Sequence, residues 1–222
     1  MRFCLTLAVL AAGVLASATP SSAQGVRVRI ELLDVRCLQD TESPSDSDLF
    51  YAVAALTDGT AKNTRTTVTE PIAFHIGESK PVAADQRVVF DATVPAQGSV
   101  RGGMRAFNED FLKDWSVRKS VVDRATNAVA AAVAAHKDGS PITGASVLKT
   151  ALDVYNPSFL WTSRRGDDGR TYRDEDTTLG TLELNVPADG PAEETKEWTM
   201  AEKTVGANTY EYKVRYRVVR TK

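Results

Sequence analysis

The chain has few of the side chains on which catalytic sites usually depend. It contains two histidines and two cysteines among 222 residues, and it has no His-Glu-x-x-His, Gly-x-Ser-x-Gly or phosphate-cradling glycine loop. His75 lies in a strand-like run and His136 ends a helical one, so their positions predict no Ser/His/Asp or zinc arrangement. Paired carboxylates such as Asp110 and Asp176 can hydrolyse glycosides, but no aromatic-rich sugar groove is evident. We predict a protein that is not an enzyme, with no catalytic and no organic cofactor-binding residues.

Long apolar runs are also scarce, and the one that stands out is at the N-terminus. Residues 5–15 form a short apolar core behind Arg2, and small residues follow it. This pattern is typical of a secretory signal and is too short for a good membrane span. We expect a signal peptide over 1–23 and a single domain over 24–222, secreted or periplasmic, without a transmembrane segment. The formal net charge of −2 does not favour nucleic acid as a partner.

Cysteine is too rare in the expected exported chain to provide an internal disulfide. Cys4 lies inside the predicted signal, which leaves Cys37 alone in a strand-like run. A buried thiol and an intermolecular bridge are the two interpretations of a lone cysteine in such a place. The domain is therefore expected to depend on its hydrophobic core for stability.

Apolar and polar side chains alternate along much of the chain, with the period of two that marks half-buried strands. The clearest case is 210–219, where tyrosine and valine occupy one face and charged residues the other. We predict about eight strands, over 26–37, 49–56, 72–76, 88–94, a run ending at Ala106, 182–186, 197–205 and 210–219. Because few helices link them, the predicted fold is mainly β, an antiparallel eight-stranded sandwich.

The pattern changes to a helical one between about 115 and 156. Residues 116–136 are rich in alanine and valine, and Thr143 can cap a second helix over about 144–155. We predict a two-helix insertion with one apolar face, formed in the first helix by Val117, Val121, Ala125, Ala128, Ala132 and His136. Such a helix can be membrane-active, but small apolar residues favour close packing against a sheet or a partner helix.

Two segments rich in carboxylates flank this insertion, 106–115 and 173–180. Clustered carboxylates repel one another, so they are either solvated or neutralised by a cation. A third short acidic stretch, Glu42 to Asp48, precedes the strand that opens Leu49-Phe50-Tyr51. The three stretches fall where strands are predicted to begin or end.

In this arrangement the chain resembles the C2-type β-sandwich family. Glu42, five intervening residues and Asp48 resemble the first loop of that family; Asn108-Glu109-Asp110 and Asp174 to Gly180 resemble the two halves of its third loop. The chain departs from the family because Asn108 replaces an aspartate and the helices divide the third loop. The resemblance spans most of 24–222 as scattered short motifs, and it implies a binding module.

The resemblance also implies a calcium site at one end of the sandwich, since Ca²⁺ prefers six to eight oxygen ligands. The expected ligands are Glu42, Asp46, Asp48, Asn108, Asp110, Asp174 and Asp176. A solvated acidic loop whose aspartates cap turns is the alternative. The expected partner is a protein, a glycan or a membrane surface. A metal-free structural or secretion-associated interaction domain and a membrane-active toxin component are the competing functions.

Apolar residues stand beside the acidic ones at this end: Phe107, Phe111, Leu112 and Trp115. They suit a membrane-docking tip, as in lipid-binding C2-like domains. They equally suit packing of the helical insertion onto the sandwich, and the immediate start of the helix after Trp115 favours packing.

Overall fold

The computed structural model of the chain describes residues 25–39, 48–109, 115–136, 142–155, 164–165, 171–172, 176–202 and 210–222. For Asp48 and for the residues of 164–165 and 171–172, only the backbone is described. The expected signal peptide, 1–23, lies outside these ranges. The signal peptide and the domain boundary that depends on it therefore stay predictions.

The described chain forms two five-stranded antiparallel sheets, one small strand pair and two α-helices. Sheet A consists of β1 (Val26–Gln39), β5 (Ser79–Pro81), β6 (Val88–Val94), β11 (Glu193–Glu202) and β12 (Tyr210–Thr221). Sheet B consists of β2 (Asp48–Thr57), β3 (Thr64–Val68), β4 (Ile72–Phe74), β7 (Ser99–Asn108) and β10 (Thr177–Pro187). The pair is β8 (Arg164–Arg165) with β9 (Thr171–Tyr172). The helices are α1 (Arg118–Ala135) and α2 (Gly144–Tyr155).

The order of strands places β1 and β12 at the centre of sheet A and β2 and β7 at the centre of sheet B. Sheet A runs β11–β12–β1–β5, with β6 also paired to β1, and sheet B runs β10–β7–β2–β3, with β4 also paired to β2. β11 and β12 are antiparallel neighbours, with Trp198 opposite Val214. The mainly β, antiparallel sandwich with a two-helix insertion is therefore confirmed.

The core lies between the inner faces of the two sheets. Tyr212, Val214 and Val218 of β12 are buried, as are Val28 and Ile30 of the neighbouring β1. Within each strand these residues are two or four positions apart, so one face of the strand is removed from water while charged residues lie mainly on the other. At ~25 cal/mol per Å² of apolar surface, these large side chains supply much of the free energy that favours folding. Cys37 is buried in the same core, which confirms the buried-thiol interpretation.

The two sheets hold ten strands, two more than the sequence pattern predicts. The additions are β3 and β5. In β3 the residues that face inward include Thr64 and Thr66, which are polar but β-branched. They suit a pleated strand without contributing to a hydrophobic alternation, so the pattern does not detect them. β5 is three residues long and carries no such alternation.

The two helices form a third layer on the outer face of sheet B. Val129 and Val133 of α1 and Leu148 and Ala151 of α2 pack against one another and on Ala55 of β2. β2 is consequently buried on both faces, as its nearly unbroken apolar sequence predicts. The packing interpretation of the insertion is confirmed. Within the described residues, no helix has the length and apolar character needed to span a bilayer.

The buried face of α1 differs in part from the predicted one. Val121 and Ala125 are buried as predicted, and the face continues through Val129 and Val133 at four-residue steps. Ala128 and Ala132 are only partly buried, while Val117 and His136 are exposed. The larger valine side chains fill the space above sheet B, so the helix is rotated to present them.

The N-terminus of α2 is fixed to sheet B by close backbone contact. A Cβ at Gly144 would lie 2.5 Å from the carbonyl oxygen of Gly102, so only glycine permits this approach. The predicted cap is confirmed, since Thr143 Oγ1 accepts the backbone N–H of Ser146 at 3.2 Å. Oε1 of Glu183, in β10, accepts the backbone N–H of Ala145 at 3.2 Å. These contacts orient α2 along the sheet, and its last residue, Tyr155, packs on Tyr51 and Phe107 of sheet B.

Candidate binding site at the end of sheet B

Three strands of sheet B begin or end at the same place. Asn108, at the end of β7, lies opposite Phe50 near the start of β2 and opposite Thr177 at the start of β10. The antiparallel ladder therefore brings the backbones of Asp48, Asn108 and Asp176 to one end of one sheet. Asp48 and Asp176 are 128 positions apart in the sequence.

The side chain of Asn108 is used to join two strands. Its Oδ1 accepts the backbone N–H of Leu49 at 3.1 Å, and the next residue, Glu109, donates its own N–H to the carbonyl of Leu49 at 2.8 Å. Asn108 is directly opposite Phe50, whose ring lies in the core between the sheets, so both side chains lie on that face. Asn108 is buried on the core side of sheet B.

The side chain of Asp176 lies on the other face. Its Oδ2 accepts a hydrogen bond from the hydroxyl of Tyr51, which belongs to the cluster of side chains under the helices. Two residues that the sequence groups as calcium ligands are thus close along the backbone but have side chains on opposite faces of the sheet. Alternation along strands explains the separation, because Asn108 and Thr177 face each other and Asp176 precedes Thr177 by one residue.

Three aromatic rings pack around Tyr51, and together with it they form what we call the aromatic cluster: Tyr51, Phe107, Trp115 and Tyr155. Tyr51 stacks on Phe107 with ring centroids 5.1 Å apart, and the edge of Trp115 meets it at 5.5 Å. Tyr155, the last residue of α2, lies 6.2 Å from both Tyr51 and Phe107. Packing of the helical insertion onto the sandwich is confirmed for Trp115. Phe111 and Leu112 lie outside the described residues.

Burial within the aromatic cluster raises the pKa of Tyr51 far above its ordinary value. The nearby Tyr155 hydroxyl and the Asp176 carboxylate raise it further, because a second negative charge beside them is unfavourable. The Tyr51 hydroxyl therefore stays protonated and donates the hydrogen bond that the Asp176 carboxylate accepts. A hydrogen bond to a charged acceptor in such surroundings is stronger than one between neutral groups.

A groove of about 420 Å³ opens beside this pair, between α2 and sheet B. We call it the α2 groove, and its lining residues are Arg105, Phe107, Leu152, Asp153, Tyr155, Asp176 and Thr178. Aromatic and aliphatic side chains line one part, while a guanidinium and two carboxylates line the rest. Arg105 is held in place by donating from Nε to Thr181 Oγ1 at 3.0 Å. The groove can accept a ligand that has an apolar face and polar edges.

The remaining predicted metal ligands cannot be placed by the described residues. Glu42, Asp46, Asp110 and Asp174 lie outside them, and Asp48 is described by its backbone alone. Among the side chains that the structure does describe, no three from histidine, cysteine, aspartate and glutamate are grouped as a metal site would require. Calcium binding therefore stays a prediction, resting on sequence and on the common position of the three strand ends.

Tyr51 and Tyr155 are the site residues that the sequence does not single out. Tyr51 follows Asp48, the end of the acidic stretch that begins at Glu42, by three positions, and its place in the sequence is that of an ordinary strand residue. Tyr155 ends a helix and reads as part of its apolar face. The contact between their rings, and the hydrogen bond from Tyr51 to Asp176, show that both belong to one site.

No protein-family model matches the chain, and a search of curated proteins found no match. Among solved structures, the chain is similar to CC2D1B, described as a protein that "coordinates ESRCT-III activity during the mitotic reformation of the nuclear envelope". The similarity has a TM-score of 0.36 at 9% identity and covers 90% of this chain and 57% of that one. The chain thus spans somewhat more than half the length of that structure. A likeness at this level carries no argument about function.

Proposed function

We propose that the chain is an exported, non-enzymatic binding module whose ligand site is the α2 groove at the acidic end of sheet B. The observation that supports it is the convergence of Phe107, Tyr155 and Asp176, from separate parts of the chain, on one groove, with Asp176 held by a hydrogen bond from the buried Tyr51. Buried aromatic packing holds these groups in fixed positions, which lowers the entropy cost of binding. Fixed polar groups beside an apolar wall are the usual composition of a ligand site.

The groove chemistry suits a sugar ring or a protein side chain that offers both an apolar face and polar edges. Phe107 and Tyr155 provide the apolar wall, and Asp176 with Arg105 provides hydrogen-bonding partners of both charges. A glycan or a protein is therefore favoured over a membrane surface as the partner. Export is part of the proposal, and mass spectrometry of the purified protein should find Gln24 at its N-terminus.

The groove is tested by filling it without disturbing the core. Thr178 is exposed and lines the groove, so Thr178→Trp is expected to block ligands while leaving the melting temperature unchanged. Glycan-array and cross-linking experiments should show binding by the natural chain and loss of it in this variant. Thr199→Trp, at an exposed position of β11, is the matched control and should bind normally. Equal binding by Thr178→Trp and the natural chain would place the ligand elsewhere.

Calcium is the proposed cofactor of the same end of the molecule. Support comes from the ladder that brings Asp48 and Asp176 to one end, and from Asp110 and Asp174, which are separated in sequence by one residue each from Asn108 and Asp176. An ion bound there would reduce the repulsion among these carboxylates. Ligand binding to the folded state stabilises it by about 2.7 kcal/mol when the ligand is at a hundred times its Kd.

Thermal melts in calcium, in magnesium and in chelator test this part. The melting temperature should rise with calcium in the natural chain, and the rise should disappear in Asp110→Ala and Asp176→Asn. Asp123→Asn is the control, since Asp123 is an exposed helix residue paired with Lys119. A melting temperature that is the same in calcium and in chelator would exclude a calcium site.

The metal-free interaction domain is the second candidate, and one observation favours it. Asn108 and Asp176 already make hydrogen bonds within the protein, on opposite faces of sheet B. In this case the carboxylates are solvated, and groove binding would be independent of calcium. The membrane-active alternative predicts leakage of a dye from liposomes; we expect none, because α1 and α2 bury their apolar faces on the sheet.

A further inference from the structure

A second groove lies on the other side of the helical layer, along β3. In the order of sheet B, β3 is an edge strand, and the start of α1 lies beside it. The space between them has a volume of about 400 Å³, and we call it the β3 groove. Because β3 is at the edge, side chains from both of its faces border this space.

The lining of the β3 groove is basic, although the chain as a whole carries a net charge of −2. Arg65, Arg118 and Lys119 line it, and Asp85 is the one carboxylate among its described lining residues. Like charges brought together in this way repel one another unless an anion lies between them. The local excess of positive charge predicts an anionic ligand.

Two of these cations form ion pairs that contribute little to stability. Arg118 Nη1 lies 3.0 Å from Glu70 Oε1, but the Glu70 side chain is 54% exposed. Lys119 Nζ lies 3.0 Å from Asp123 Oδ2, with side chains 88% and 59% exposed. Exposed ion pairs such as these contribute ~0–1 kcal/mol each. An anion in the groove can therefore take over these contacts at little cost.

Two hydroxyl groups of β3 lack partners within the part of the chain that the structure describes. They are Oγ1 of Thr66 and Oγ1 of Thr67, both buried, and both residues line the groove. Thr66 is 2% exposed as a whole. Leaving a buried hydroxyl without a hydrogen bond costs about 1–3 kcal/mol. Neighbouring residues of a strand point to opposite faces, and Thr66 is on the side of α1, where its backbone N–H donates to Thr126 Oγ1 at 3.1 Å. A bound group rich in oxygen atoms on that side would accept a hydrogen bond from Thr66.

The N-terminal end of α1 adds positive charge beside the β3 groove. The N-terminal end of a helix carries partial positive charge, and acidic residues usually offset it. The first turn of α1 has no acidic residue and instead begins with Arg118 and Lys119. Both cations are unfavourable at that end of a helix, and an anion beside them would remove the penalty.

From these observations we propose that the β3 groove binds a small tetrahedral oxyanion, a phosphate or sulfate group that is either free or carried on a lipid headgroup. Arg65, Arg118 and Lys119 neutralise its charge, and the hydroxyl of Thr66 donates a hydrogen bond to one of its oxygens. The site is separate from the α2 groove and from the proposed calcium site, since it uses none of their residues.

Binding of inorganic phosphate and sulfate to the purified protein tests the proposal directly. Isothermal titration and thermal melts should be compared with sodium chloride at the same ionic strength, so that general screening is cancelled. We expect Lys119→Gln to raise the Kd for phosphate about tenfold, which corresponds to ~1.4 kcal/mol. Lys149→Gln is the matched control, because Lys149 forms an equivalent exposed pair with Asp153 on α2 at 2.6 Å. Its phosphate affinity should equal that of the natural chain.

Thr66→Val separates binding from folding. This change keeps the shape of the side chain and removes the unpartnered hydroxyl, so stability without phosphate should be equal or higher. Phosphate affinity should fall in the same variant. The proposal is overturned if phosphate and sulfate stabilise the protein no more than chloride does, or if Lys119→Gln and Thr66→Val both bind phosphate as tightly as the natural chain.

Vesicle-binding experiments distinguish an anion on a lipid headgroup from a free anion. Phosphatidylcholine vesicles that contain phosphatidic acid should recruit the protein if the anion is a headgroup, and Lys119→Gln should reduce recruitment. Phosphate binding in solution without recruitment to these vesicles would assign the groove to a soluble anion. Calcium-independent phosphate binding would support this proposal even where the calcium proposal fails.

Discussion

The hydroxyl group of Tyr51 donates a hydrogen bond to the carboxylate of Asp176, a residue 125 positions further along the chain. The pair joins β2 to the residue that precedes β10, across the intervening β7. The helical insertion lies between Tyr51 and Asp176 in the sequence. The bond therefore ties together the two ends of the chain segment that contains the insertion. The rings of Phe107, Trp115 and Tyr155 pack around Tyr51 and shield the bond in part from water, which raises its contribution to stability.

Replacing Tyr51 by phenylalanine removes this hydrogen bond while keeping the ring. We expect a loss of about 1–3 kcal/mol in the free energy of unfolding, because a partly buried carboxylate loses its hydrogen-bond donor. Urea denaturation followed by tryptophan fluorescence measures the loss. Tyr210→Phe is the control: its hydroxyl donates to the neutral carbonyl of Leu179 at 2.7 Å, so a smaller loss is expected. Equal losses would show that the charge on Asp176 adds nothing.

The ion-paired face of sheet A should give stability that depends on pH. The hydrogen bond from Arg217 lowers the pKa of Glu31 below its ordinary value of 4.5. A carboxylate whose folded pKa is lowered contributes stability above its unfolded pKa and loses it as pH falls through the folded pKa. Glu31→Gln should therefore be less stable than the natural chain near neutral pH, and the difference should vanish in acid.

Urea midpoints between pH 7 and pH 3 provide the measurement for Glu31. The comparison variant is Glu197→Gln, which removes a more exposed pair with Lys213 and should change stability little at any pH. A constant difference between Glu31→Gln and the natural chain over this range would show that the Arg217 pair is not the cause.

The packing of the helical layer can be tested by cavity formation. Val129 is fully buried between α1 and sheet B, so Val129→Ala removes two methyl groups from that interface. At ~0.8 kcal/mol per buried carbon group plus the cavity cost, a loss of about 2 kcal/mol is expected. Val117→Ala makes the same chemical change at a position that is 36% exposed and should be nearly neutral. Similar effects at the two sites would mean that α1 does not pack as described.

The N-terminal cap of α2 should contribute measurably to stability. Thr143→Ala removes the acceptor of the Ser146 N–H and is expected to cost ~1 kcal/mol. Thr150→Ala, in the middle of the same helix, is the control and should be neutral or stabilising, since alanine favours helix there. Thermal denaturation of the three proteins provides the comparison. A Thr143→Ala protein that melts with the natural chain would indicate that Glu183 alone satisfies this helix end.

Local sequence patterns were sufficient to predict most of the helices and strands. The second helix was predicted over about 144–155 and lies at Gly144–Tyr155, because Thr143 and the apolar spacing are local signals. The alternation in 210–219 likewise corresponds to β12. β3 shows the limit of such patterns: Thr64 and Thr66 face inward without being hydrophobic, so alternation of hydrophobicity carried no information there.

The candidate site was predictable only in part. The expectation that Asp48, Asn108 and Asp176 meet at one end of the sandwich agrees with the positions of their backbones. Which face each side chain occupies depends on the register of β7 with β2 and β10, and a shift of one residue would reverse it. No local signal sets that register, so the separation of Asn108 from Asp176 was not predicted.

The sequence alone determined the strand-rich composition, the place of the helical insertion and the acidic character of one end, since each depends on residues that are neighbours along the chain. Tertiary structure decided that the helices cover sheet B, that Tyr51 meets Asp176, and that basic residues of α1 border β3. These are contacts between distant segments, and their geometry follows from strand register and from the burial of apolar faces, which the whole chain settles together.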